Sequence, residues 1–91
     1  MRLLMNYHLN MLALTRQRLL ELPADRRDIS GLTLGIPKTE LKRLKQFIAD
    51  FRMQLLEMAG RCEASEEVVQ LNIQMFPVTD HAEDEEAQDA F

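Results

Sequence analysis

The stretch RDISGLTLGIPKTELKRLKQ, Arg27 to Gln46, supports two readings that exclude each other, and the choice between them decides the fold. With a period of two, Leu32, Leu34 and Ile36 share one face and Gly31, Thr33 and Gly35 the other, which predicts a strand that feeds a helix. The alternative is a helix-turn-helix over residues 27–46. It puts Gly35 in the turn, Leu34 and Ile36 beside it, and Lys38, Lys42, Arg43 and Lys45 on a second helix facing phosphates. The stretch SGLTLG, in which that first helix would run into its turn, holds two Gly and a Thr, and each Gly inside a helix costs about 1 kcal/mol against Ala. Ser30 would also fall where an apolar residue is wanted. The strand reading carries less strain and predicts the fold.

Downstream, Leu41, Leu44, Ile48, Phe51, Leu55 and Met58 recur at spacings 3, 4, 3, 4, 3, the signature of one apolar stripe along a helix. Pro37 bends the chain before it, Thr39 is a candidate N-cap, and the helix is expected to end near Ala59, with Gly60 as a left-handed cap. Upstream, Arg2 to Glu21 has no Gly or Pro and is rich in good helix formers, so a second helix is expected there, stopped by Pro23. That helix starts without a capping signal, which suggests an element entered midway in a longer protein. Further on, VVQLNIQMFPV alternates Val69, Leu71, Ile73 and Met75 with Gln70, Asn72, Gln74 and Phe76, the pattern of a strand with one dry face, and Pro77 ends it.

Assembled, these elements predict a small α/β fold of two layers in the order helix, strand, helix, strand. Its βαβ unit would be a right-handed crossover, with both helices on one face of a small sheet. A single interaction or regulatory domain is expected over residues 1–79, followed by an acidic, disordered tail over 80–91. Charge divides the same way. Residues up to Arg61 hold 11 basic and 6 acidic side chains, whereas Cys62 to Phe91 hold 9 acidic and none basic, and the net charge of −4 disfavours direct nucleic-acid binding by this chain alone.

The sequence is poor in chemistry. No combination of nucleophile, base and oxyanion donors stands out, so an enzyme is not expected, and there is no cofactor-binding motif. One cysteine, Cys62, and two distant histidines make neither a disulfide nor a zinc site, and the expected compartment is the cytoplasm. The N-terminal residues lack a cleavage site, and nothing approaches the ~18 uninterrupted apolar residues of a membrane span. Two candidate sites remain. Thr33, Gln70, Asn72 and Gln74 would lie on the flat, polar side of the sheet, available to a partner or ligand. Tyr7 and His8 form a polar pair on the first helix, read first as ordinary residues with their rings at the helix-sheet boundary. His81, with Asp80, Glu83 and Asp84, offers a weaker possibility for a loose cation.

NYHLNMLAL (Asn6–Leu14), LTLGI (Leu32–Ile36) and QLNIQMFPVT (Gln70–Thr79) resemble the C-terminal domain of a family of uncharacterised bacterial proteins that usually carry a Cro-like helix-turn-helix domain at the N-terminus. The resemblance spans roughly residues 6 to 79 and contains no catalytic motif. It implies the accessory half of a transcriptional regulator, without the DNA-binding half. The expected role is a dimerisation or regulatory module. The expected partners are a second copy, joined through the open sheet edges or the polar face, or a full-length relative.

Overall fold

The computed structural model describes residues 2–79, and the acidic segment 80–91, with the cation site imagined around His81, lies outside them. Four helical elements succeed one another: α1 (Arg2–Glu21), a 3-10 turn (Ala24–Arg26), a second 3-10 turn (Lys38–Glu40) and α2 (Leu41–Gly60). Among the described residues they belong to two compact units, one formed by residues 2–28 together with 70–79, the other by residues 29–69.

In the first unit α1 is continuous over the range its composition demands. Its half-buried residues are His8, Met11, Thr15, Leu19 and, just past its end, Leu22, which fall at spacings of three and four and therefore on one face. Leu3 and Leu20, on other faces, are 86% and 83% exposed. Pro23 stops the helix as expected, with φ −71° and ψ 163°, and the chain then makes one 3-10 turn closed by the Arg26 N–H on the Pro23 carbonyl at 3.0 Å. The Arg27 guanidinium reaches back to the Leu22 carbonyl. A cationic donor on a helix's last carbonyls satisfies groups that have no partner within the helix and also opposes the negative end of its dipole. Replacing Arg27 by Ala should therefore destabilise the end of α1 by about 1 kcal/mol, measurable as faster amide exchange over residues 18–22.

In the second unit, Pro37 holds φ −65° and ψ 151°, and the Glu40 N–H closes a 3-10 turn on its carbonyl at 3.0 Å. The turn runs directly into α2. Thr39 is part of that turn and is not the N-cap; the cap position is Glu40, in a helical conformation and without a side-chain cap. Gly60 also departs from expectation. It is the last residue of α2, and no described residue, glycine or other, has a positive φ. A Cβ at position 60 would meet nothing within 4 Å. Gly60→Ala should thus raise stability by about 0.5–1 kcal/mol, by restricting the unfolded chain and favouring the helix, and a rise in helix content should report it.

The expected sheet is absent. Residues 27–37 and 64–78 contain no strand among the described residues, so the α/β fold with a βαβ unit is overturned: the regular structure is helical. Alternation records which side chains prefer to share a face, but a strand exists only when its backbone N–H and C=O groups find a second ladder. Two short segments, each ended by a proline and one holding two glycines, form at most an isolated pair, which is marginal in water. The same stretch also refutes the helix-turn-helix, because residues 27–37, where its first helix would lie, are not helical.

Without a sheet, there is no core of the expected kind. No described side chain is buried. Leu44, Ile48 and Leu55 on α2 are half-buried, while Leu41, Phe51 and Met58 of the same stripe are 37%, 44% and 59% exposed.

Candidate functional site

Where a sheet was expected to leave a flat polar face open, two of its residues turn onto α1. Tyr7, Met11 and Thr15 succeed one another at intervals of four, so they line one side of that helix, with a rise of about 6 Å per interval. An extended segment advances about 6.6 Å over two residues, so side chains two apart match that interval. Gln70 and Asn72 use the match. The Gln70 amide donates to the Tyr7 hydroxyl at 3.4 Å and to the Asn72 side-chain oxygen at 2.9 Å. The Asn72 amide in turn donates to Thr15 Oγ1 at 2.7 Å and, less closely, to the Met11 carbonyl at 3.5 Å.

Thr15 is the hinge of this arrangement. Its hydroxyl donates to the Met11 carbonyl at 2.7 Å, one turn back along α1, which leaves the oxygen lone pairs directed at Asn72. A hydroxyl is both donor and acceptor, so Thr15 passes the polarity of a helix carbonyl on to the neighbouring segment. Asn72 and Thr15 are half-buried, whereas Gln70 and Tyr7 are exposed. The strength of the cluster is therefore concentrated in the Asn72–Thr15 bond, where water competes least.

The rest of the anticipated face does not assemble. Gln74 is exposed, and Thr33, also exposed, belongs to the unit of residues 29–69. The apolar residues at the start of the segment stay open: Val69 is 82% and Leu71 56% exposed, while polar Asn72, next to Leu71, is better covered. Sequence reasoning singled out Gln70 and Asn72 but placed them on an outward face, and it overlooked Thr15. The signal for Thr15 was a β-branched hydroxyl in line with Met11 on a helix otherwise made of strong helix formers.

Tyr7 and His8 touch edge to face, with ring centroids 5.4 Å apart and planes inclined at 71°. His8 is half-buried, and the Tyr7 hydroxyl is engaged by Gln70. The pair contributes packing of the T-shaped kind that the aromatic quadrupole favours. At the far end of α2, Ala59, Cys62, Ala64, Ser65, Glu66 and Glu67 line a shallow hollow of about 230 Å³. Cys62 there is a free, exposed thiol whose Sγ lies 3.6 Å from the Met58 carbonyl, as a weak donor would.

Among the described residues, no group of three or more His, Cys, Asp or Glu side chains is placed to hold a metal ion, and no helix is long and apolar enough to cross a membrane. What the polar cluster does is fasten an extended segment to a helix. No curated protein and no solved structure matches the chain. Residues 1–78 match one family, and the chain accordingly belongs to the family of the domain of unknown function DUF4423.

Proposed function

We propose that this chain is a non-catalytic association module of a cytoplasmic regulatory protein, whose function is to join another protein chain. The observation that carries the reading is the combination of 46% hydrophobic residues with no buried side chain among those described. A soluble chain with that composition covers its apolar surface against something, and exposed patches beyond a few hundred Å² are the usual mark of a protein interface. Homodimerisation is the simplest way to achieve this. In regulators of the kind the sequence resembles, the same association would bring two Cro-like halves together over a symmetric operator. The same association would let this chain pair with a full-length relative and modulate it.

Sedimentation at tens of micromolar tests the reading. A dimer is the expected result, and a strictly monomeric, folded species at that concentration would refute homodimerisation. Duplex DNA is expected to bind no more tightly than ~100 μM at physiological salt, as non-specific contacts of a chain with net negative charge. Sequence-dependent binding in a mobility-shift assay would contradict this.

A further inference from the structure

We propose that α2 is the docking surface and that its occupant is the α2 of a second copy, lying parallel and in register; this rests on the association reading above and specifies its interface. Leu41, Ile48 and Leu55 take the first position of a seven-residue repeat, and Leu44, Phe51 and Met58 take the fourth, through three repeats of an unbroken helix. A strict repeat of this kind is narrower than the stripe of a helix lying on a globular core and is the seam of a two-stranded coiled coil. Three of its six residues remain more than a third exposed.

The residues flanking the seam decide the orientation. In a parallel pair the position preceding one repeat faces the fifth position of that repeat on the partner. Glu40 then meets the partner's Lys45, and Phe47, 74% exposed, meets the partner's Arg52, a cation over an aromatic face. An antiparallel pair with the same layers would set Lys45 against the partner's Arg52 twice, like charges at close range. The antiparallel pair also sets Glu40 against the partner's Arg61, but that arginine lies past the end of α2, whereas the Lys45–Arg52 repulsion falls within the helix. Such differences in rim charge are how paired helices select partner and direction. Glu40 already lies 3.4 Å from Arg43 in its own chain, a pair whose arginine side chain is 83% exposed, and it has a second carboxylate oxygen to offer.

Cys62 provides a built-in probe. It occupies the next first position of the repeat after Leu55, and its N–H still closes a helical turn on the Ala59 carbonyl at 3.1 Å. In a parallel, in-register pair the two Cys62 thiols lie side by side at the end of the seam. In an antiparallel pair they stand at opposite ends, about 37 Å apart at ~1.5 Å per residue, far beyond the reach of a disulfide.

The test uses the full chain at concentrations where it sediments as a dimer. Diamide, which takes up two protons and two electrons as two thiols become one disulfide, should convert it to a covalent dimer that Cys62→Ser abolishes. Ile48→Lys should weaken association by about 100-fold or more, whereas Ala49→Lys, outside the seam, should leave it unchanged. Because Ile48→Lys can also unfold α2, the rim supplies an independent measurement. Glu40→Lys should weaken the dimer by about 5-fold, and adding Lys45→Glu should restore it by exchanging the two charges. A dimer that resists Ile48→Lys, or shows neither the Cys62 crosslink nor charge-swap rescue, would overturn this interface and leave the association reading standing. A monomer in sedimentation would remove both.

Discussion

Dilution from ~100 to ~1 μM is expected to remove a large part of the helical circular-dichroism signal at ~25 °C, and the thermal midpoint should fall with it, because folding here is linked by mass action to association. The physical case begins with α1 and α2, each of 20 residues. Isolated helices of that length are only marginally stable in water, since nucleation is costly and propagation adds little per residue, so helices in proteins rely on packing an apolar face. In this chain that packing is incomplete within each unit. The best covered residues of α2 are only half-buried, and ion pairs such as Arg18–Glu21, at 3.3 Å with both side chains about half exposed, add a few tenths of a kcal/mol at most. A helix signal and midpoint unchanged over that hundredfold range would mean that the chain is stable alone, and would contradict an association-dependent fold.

The second large effect is expected at the Asn72–Thr15 bond. Asn72→Ala removes the donor to Thr15 Oγ1 and to the Met11 carbonyl, a half-buried interaction of roughly 1–2 kcal/mol. The segment it holds should open correspondingly more often, so chymotryptic cleavage after Met75 should accelerate by about 5- to 30-fold when opening is in rapid equilibrium. Thr15→Val keeps the shape of the helix side chain and removes the hydroxyl, and should produce most of the same acceleration. The double variant should cleave little faster than either single one, because both changes delete one shared interaction. Additive effects would show that the two residues act independently, and an unchanged cleavage rate in Asn72→Ala would show that the segment is held by other contacts. Gln74→Ala serves as the comparison and should change little, since Gln74 is exposed.

The same residues show how far local pattern reaches. The start and stop of α1, the extent of α2 and the breaks at Pro23 and Pro37 were all legible in the sequence, because helix formation depends on hydrogen bonds four residues apart, on propensity and on what proline forbids. The three-four spacing of α2 is equally local and survives unchanged in the structure. Details at the helix ends were less secure: Thr39 belongs to a 3-10 turn and Gly60 keeps a right-handed backbone, since several terminations of similar energy compete there.

Pairing was the part that only tertiary structure decided. The alternation in Leu32–Ile36 and Val69–Met75 says that each segment favours an extended chain with two unlike faces. It does not say whether another backbone lies alongside to complete the ladder, because that partner is distant in sequence and its approach depends on loop closure and competing contacts. For Gln70 and Asn72 the competing contact won. A helix face carrying Tyr7, Met11 and Thr15 offers a hydroxyl, a carbonyl and a second hydroxyl at nearly the repeat of an extended chain, and the amide side chains took those partners where a neighbouring strand was expected.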